Sequence, residues 1–312
     1  MTKTLLTLST ALLALMPLAA AAEYPERPVE FIVPWPPGDL EDVLTRMIAD
    51  RFQATYGVPA AVVNKPGGGG GPFPGAVDVA LAPADGYTVG SFVIDVPLVG
   101  PHIGIPPLTP NPFDPIGIFV TYPFVIATSG DAPYQTLQEL AAYAQDHAVS
   151  LGHFGDETTP ARHSMALAQA LGFSYASSSA FDMLDCNTLA SGDADVINTT
   201  LQLIRPCLDS LTILAAVTNE RISILPDVPT AGEIVPELDV STWNGLFVRS
   251  DTPQDARDRI AAVAAEVMAS DEATQLAADT GALIYWMDAA ASQEQMARDV
   301  ETLGRISAFL GE

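Results

Sequence analysis

The chain has 312 residues, with 13 basic and 38 acidic side chains and a formal charge of −25. That charge argues against nucleic acid and against anionic membrane surfaces as partners, since both would repel it. It reads as a solvated acidic surface suited to a salty medium, where exposed charges are screened beyond roughly 8–10 Å.

Residues 1–22 read as a secretory signal peptide. Lys3 is followed by an apolar core from Leu5 to Leu18 and a small-residue stretch, Ala19 to Ala22, that fits cleavage before Glu23. No cysteine sits at the cleavage point, so a lipoprotein anchor is not expected, and no later run is apolar enough to span a bilayer. The remaining length suits two domains, in a soluble chain exported to the periplasm.

Short apolar strands alternate with amphipathic helices. Val29 to Val33 predicts a strand, Asp42 to Tyr56 a helix with Val43, Met47, Ile48 and Phe52 on one face, Ala61 to Val63 a strand, and Pro74 to Ala82 a helix. Tyr87 to Ile94 is a strand, 97–115 a proline-rich irregular stretch, Phe124 to Ala127 a strand, Thr136 to His147 a helix and Ser150 to Gly152 a strand. Helices are expected over Pro160 to Leu171, Met183 to Ala190 and Leu201 to Leu208, with strands at Ala194 to Ile197, Ile213 to Val217 and Trp243 to Val248. Two long alanine-rich helices close the chain. Alternation of this kind predicts α/β domains with parallel sheets.

Two loops stand out. Pro34-Trp35-Pro36-Pro37-Gly38-Asp39 follows the first strand, and Lys65-Pro66 followed by five glycines follows the second. Five glycines bury nothing and cost backbone entropy, which is tolerable where N–H groups must approach an anion closely. The run ends Gly71-Pro72-Phe73, so it is not a phosphate loop of the Gly-Lys-Ser/Thr type. His102, His147, His153 and His163 lack metal-binding helical spacing and read as surface or cleft residues. Ser164 lacks a nucleophile elbow. No catalytic residue, metal or cofactor is expected. Cys186 and Cys207, in a chain bound for an oxidising compartment, point to a disulfide; two free buried thiols are the alternative and a zinc site a poor third.

Six segments, taken in order, resemble the periplasmic solute-binding proteins of tripartite tricarboxylate transporters, the Bug or TctC family. They are Tyr24-Pro25-Glu26-Arg27-Pro28-Val29, Val33-Pro34-Trp35-Pro36-Pro37-Gly38 with Asp42 and Arg46, Asn64-Lys65-Pro66-Gly67, Ala84-Asp85-Gly86-Tyr87-Thr88, Leu225-Pro226-Asp227-Val228-Pro229-Thr230 and Trp243-Asn244-Gly245-Leu246-Phe247. The resemblance covers nearly all of residues 24–312. It implies two Rossmann-like α/β domains of the type II periplasmic binding protein (Venus flytrap) kind. Domain one would hold 23–123 and 238–312, and domain two 124–237, with the ligand between them. It further implies a small organic acid as ligand, membrane permease subunits as partners and a monomeric receptor. A ligand-presenting sensor subunit for a membrane kinase is the alternative, and an exported enzyme on the same scaffold a weaker one.

By the same resemblance the domain-one ligand residues are Trp35, Pro36, Pro37, Gly38 and Asp39 in the first loop and Lys65, Pro66, Gly67, Gly68 and Gly69 in the second. They would hold a carboxylate at helix N-termini, partly through water. Candidates in domain two are Asp156, Glu157, Thr158 and Thr159, then Ser177, Ser178 and Ser179, and Thr199. Three departures from the family pattern bear on ligand class. Asp39 stands where glycine is usual; either it caps the following helix, or the ligand is cationic, zwitterionic or a metal–carboxylate pair. Serines replace a lysine-bearing segment at 177–179, which suits a neutral or hydroxylated group. Thr199 and Thr200 stand where amino-acid-binding members tend to place an acid. Trp35 either stacks on a ligand ring or packs at the hinge side.

Overall fold

The computed structural model describes residues 23–67 and 71–312. The expected leader, together with Gly68 and Gly69 of the candidate set, lies outside the described residues.

Eleven strands and eleven α-helices alternate along the described residues. In chain order they are β1 (Val29–Val33), α1 (Leu40–Tyr56), β2 (Ala60–Asn64), α2 (Phe73–Leu81), β3 (Thr88–Val93), α3 (Asp95–Leu98), β4 (Phe113–Thr121), β5 (Phe124–Ser129), α4 (Leu137–Tyr143), β6 (Ser150–His153) and α5 (Thr159–Ala170). There follow β7 (Ser177–Ala180), α6 (Cys186–Ala190), β8 (Val196–Thr200), α7 (Leu201–Ile204), β9 (Leu211–Ala216), α8 (Ala231–Ile234), β10 (Trp243–Arg249), α9 (Gln254–Met268), α10 (Asp271–Thr280), β11 (Leu283–Asp288) and α11 (Ala289–Leu310).

The strands form two sheets, ordered β11-β4-β10-β3-β1-β2 and β7-β6-β8-β5-β9. Two Rossmann-like α/β units result. The chain passes from the first sheet to the second between β4 and β5 and returns between β9 and β10. The pairings are mixed rather than purely parallel. β1 is parallel to β2 and β3, whereas β10 and β11 run antiparallel to β4. In the second sheet β6 is parallel to β7 and β8, and β5 antiparallel to β8 and β9. One contiguous apolar core runs through both units; a smaller cluster, with Phe92, Trp243 and Phe247, lies against the first sheet.

Most periodic segments form where the pattern places them, and the differences have local causes. The expected helix over Met183 to Ala190 starts only at Cys186, because Asp185 stops it: the Asp185 carboxylate accepts the Asn187 N–H at 2.9 Å. The helix over Leu201 to Leu208 breaks into α7 and a tighter turn, Arg205–Ser210, since Pro206 has no N–H to donate. The irregular 97–115 stretch gives way to the nine-residue β4, buried along most of its length. Three helices, not two, close the chain, and β11 lies between α10 and α11.

Four of the six quoted segments hold one another. The Tyr24 hydroxyl donates to Gly86 O at 2.8 Å, and Arg27 pairs with Asp85 at 2.7 Å while lying 3.7 Å over the Tyr87 ring. Asp42 Oδ1 accepts from Arg46 Nη2 and Asn64 Nδ2, both at 2.8 Å, and Asn64 also donates to Trp35 O at 3.0 Å. Lys65 N donates to Val33 O at 2.8 Å, which ties the second loop to the first. Gly75 lets α2 close over both: a Cβ there would lie 2.8 Å from Pro34 Cβ and 2.9 Å from Lys65 O. These segments set the frame on which the first loop is displayed.

Cys186 and Cys207 form a disulfide with Cα atoms 5.9 Å apart, so the free-thiol and zinc alternatives fall away. It closes a loop of 21 residues. Loop-closure entropy of that size corresponds to about 3 kcal/mol. Replacing both cysteines by alanine is expected to lower urea-unfolding stability by about that amount. A loss under ~1 kcal/mol would mean that α6 and the 205–210 turn restrain each other without the bridge.

Candidate functional site

A cleft lies where the carboxyl ends of strands from both sheets meet, the usual ligand position in open α/β sheets. The segment after β1 supplies Trp35 and Asp39, the first turn of α1 Glu41, and the end of β3 Val93 and Asp95. Tyr122 and Phe124 come from the crossing segment, Phe154 from the end of β6, and Thr158 and Pro160 from the start of α5. Thr200, Gln202 and Leu203 follow β8, and Thr242 precedes β10. The cavity is about 40 Å³ for the centre of a water-sized sphere. That is room for at least one water-sized sphere.

Aromatic rings make up much of the wall. Trp35 meets Phe154 edge-on at 5.9 Å, Phe154 meets Phe124 at 6.1 Å, and Phe124 meets Tyr122 at 5.8 Å. Two helix N-termini also reach the cleft, since Asp39 is the residue before α1 and Thr158 the residue before α5.

Three carboxylates share this space. Asp39 does not cap α1, which settles one question left open by the sequence. Its side chain makes no cap hydrogen bond, and Oδ1 is buried without a partner. The loop N–H of Gly38 goes instead to Asp42 Oδ2 at 2.9 Å. Glu41 is buried and accepts from the Tyr122 hydroxyl at 3.0 Å. Asp95 is buried and accepts the Thr159 N–H at 2.5 Å, joining a loop of the first sheet to a helix of the second.

Burial, then the charge of Asp42, pushes Asp39 up to about 6. Burial likewise pushes Asp95 up to about 6, against the hydrogen bonds from Thr159. Burial, then the charge of Asp39, holds Glu41 well above the usual carboxylate range. Asp42 goes the other way: burial would raise it, but hydrogen bonds from Arg46, Asn64 and Gly38 hold it below that range. No lysine, arginine or histidine is among the described residues that line the cleft. Three neutral donors in its wall are buried and unpartnered: Trp35 Nε1, Thr200 Oγ1 and Thr242 Oγ1.

Of the candidate residues, Trp35, Asp39 and Thr158 line this cleft. Thr159 reaches it through its bond to Asp95. Pro36, Pro37 and Gly38 continue the first loop, half-buried to exposed. Asp156, Glu157 and Thr158 face Gly71 and Phe73 across an adjoining, shallower hollow of about 720 Å³. Lys65 pairs with Asp78 at 2.5 Å, and Pro66 and Gly67 follow it outside the cleft. Ser177, Ser178 and Ser179 form β7, the exposed edge of the second sheet, away from the cleft. Thr199 is fully buried, with its hydroxyl on Leu184 O at 2.7 Å; its neighbour Thr200 faces the cleft instead. His153 and His163 are core residues rather than surface or cleft ones, and His163 Nε2 sits 2.8 Å from Leu238 O. Trp243 is buried under the first sheet, where its N–H meets Asp299 at 2.7 Å.

The sequence reading passes over Asp95, Tyr122, Phe124, Phe154, Thr200 and Thr242 as cleft residues. Asp95 follows the carboxyl end of β3 and Phe154 that of β6, and position at a strand end was the available signal.

Residues 44–311 match the model of the tripartite tricarboxylate transporter family receptor, TctC. The chain belongs to this receptor family. An Agrobacterium vitis protein of the UPF0065 group, from the TAR-I ttuE-ttuC' intergenic region, is 27% identical over 316 residues, covering 96% of this chain and 89% of that one. The structure of the periplasmic binding protein BugD superposes with a TM-score of 0.79 at 25% identity, over 92% of this chain and 98% of that one. The R. palustris protein Rpa4515, solved with adipate, superposes with a TM-score of 0.80 at 22% identity, over 93% and 99%. The family assignment makes the chain a substrate-binding receptor rather than an enzyme. Among the described residues no helix is long and apolar enough to cross a membrane.

Proposed function

We propose that this TctC-family chain is an extracytoplasmic solute-binding protein that captures a small organic acid for the membrane permease of a tripartite tricarboxylate-type transporter. One observation carries the reading: a cleft at the carboxyl ends of strands from both sheets, lined by residues that hold three buried donors without partners. Those donors, Trp35 Nε1, Thr200 Oγ1 and Thr242 Oγ1, suit a carboxylate, which accepts several hydrogen bonds at once. The adipate of the R. palustris structure is a ligand of the same class.

In this reading residues 23–123 with 238–312 form one lobe and 124–237 the other. The lobes close on the solute about the two crossing segments. Residues 1–22 direct export to the periplasm and are removed, and the receptor works as a monomer with no cofactor.

A thermal-shift series over mono- and dicarboxylates tests the proposal. A ligand that binds only the folded state stabilises it by RT ln(1 + [L]/Kd), about 2.7 kcal/mol at a hundredfold excess over Kd. At least one carboxylate is expected to raise Tm by several degrees, and Trp35→Ala to weaken that carboxylate by about tenfold or more, a wall-ring loss of ~1.4 kcal/mol. No shift with any carboxylate would overturn the proposal.

A further inference from the structure

We infer that the solute this cleft selects carries, besides its carboxylate, a fixed positive charge on an alkylated nitrogen, an ammonio-carboxylate seated with its cation against Asp39 and the Trp35–Phe154–Phe124 wall. The inference deepens the carboxylate-receptor reading above and rests on it.

Charge balance comes first. Asp39, Glu41 and Asp95 all line one small cavity, and among the described lining residues nothing cationic answers them. The basic groups nearby are spent elsewhere: Arg46 on Asp42, and Arg162 on Glu157 and Glu312. Both helix N-termini at the cleft, where a second anion would bind, already carry the chain's own carboxylates. Asp39 stands before α1, and Asp95 accepts the first N–H of α5. A plain dicarboxylate would place a second negative charge beside Asp39, which no cation in the lining answers.

Two kinds of unpartnered polar atom belong to residues that line the same space. Thr242 is 2% exposed and Thr200 7%, and neither hydroxyl has a partner, which with Trp35 Nε1 leaves three donors for a carboxylate. Asp39 Oδ1 is an acceptor without a partner, which leaves one site for a cation. The other two carboxylates are engaged, Glu41 by Tyr122 and Asp95 by Thr159.

The wall then decides which cation fits. A primary ammonium has three N–H donors to satisfy and a guanidinium five, and burial of unmet donors is costly. A quaternary nitrogen has none. It is held by ring faces and a nearby negative charge, the physics of aromatic cages, and Trp35, Phe154, Phe124 and Tyr122 supply the rings. A metal ion fits worse: among the described residues no group of three or more His, Cys, Asp or Glu could hold one.

The test uses a pair of probes that differ by one atom. Glycine betaine and tert-butylacetate have the same shape and the same carboxylate; one has nitrogen and a charge where the other has carbon. Isothermal titration of the mature chain is expected to give betaine at least about tenfold tighter binding than its carbon isostere. Asp39→Asn is expected to abolish that preference while leaving tert-butylacetate binding unchanged or stronger. Trp35→Leu, with near-ultraviolet circular dichroism confirming the fold, is expected to weaken betaine more than the isostere. Equal affinities, or a preference for the isostere, would overturn the inference and leave the carboxylate-receptor reading standing. Binding of dicarboxylates with neither probe bound would do the same. Binding of choline as tight as betaine would overturn the inference, since the carboxylate would then contribute nothing, and would count against the carboxylate reading. Failure of every probe and every carboxylate would overturn both.

Discussion

Asp39→Asn is expected to stabilise the solute-free protein by about 1–3 kcal/mol at about pH 8. The direction follows from linkage. The folded-state value of Asp39 is pushed up to about 6 from an ordinary 3.8, chiefly by burial. A carboxyl raised in this way supports the fold while protonated and loses that support as pH rises through the folded value. The variant's advantage should therefore be small below about pH 4, grow between about pH 4 and pH 6, and level off above. Urea unfolding of both proteins across that range measures it, with each ΔΔG taken at fixed pH so that other titrating groups cancel. For a chain of this size ~1 kcal/mol corresponds to roughly 2–4 °C in Tm. A residue that weakens the empty protein but tightens the loaded one fits a binding role, the familiar opposition of stability and function. A variant less stable than the parent at about pH 8 would show that Asp39 holds the fold.

Phe154→Ala should have the largest destabilising effect among cleft substitutions, about 3–5 kcal/mol. Phe154 is 8% exposed and lies between Trp35 and Phe124, so it joins the first-sheet loop to the start of β5. Its removal leaves a void beside the cleft, where both ring contacts are lost. Chemical unfolding gives the energy, and titration with the best thermal-shift ligand gives the accompanying loss of affinity, expected to exceed about tenfold. Phe154→Leu, which keeps apolar bulk but not the ring face, should recover most of the stability and little of the affinity. Recovery of both would mean the ring serves packing alone.

The fold was largely legible because its periodic parts are locally consistent. α1 has apolar residues on one face, acids in its first turn and Gly57 in the left-handed region at its end, so pattern and stop signal agree. Legibility failed where a tertiary partner overrides the local pattern. β7 is three serines and an alanine at an exposed edge, with no apolar alternation to betray it, and only pairing with β6 makes it a strand. β11 is a short strand set between two alanine-rich helices, and β4 completes it.

The site was half legible for a related reason. Proline and glycine loops announce themselves, and Trp35 and Asp39 could be read from the first of them. Asp95, Phe154, Thr200 and Thr242 sit far apart in sequence, and only sheet topology brings them together. The glycine-rich loop drew attention by composition. Its described end faces the adjoining hollow, and its entry residue Lys65 is committed to Asp78. Whether Asp39 caps its helix could not be read from residue type alone, since aspartate both caps helices and binds cations. In the structure Asp39 Oδ1 has no partner, and Asp42 takes the Gly38 N–H.

The most direct measurement is the pH dependence of glycine betaine affinity, because neither charge of that solute changes between about pH 5 and pH 8. The groups that face Asp39 are Glu41, Asp95 and Tyr122 within the cleft and Asp42 with its Arg46 beneath it, while the Arg162 charge acts on Asp95 from α5. Ionisation of Asp39 through about 6 sets the expected slope. Affinity should rise about tenfold from about pH 5 to pH 7, level above, and lose this dependence in Asp39→Asn. Affinity that stays flat or falls as pH rises would contradict a cation held by the acidic face of this cleft.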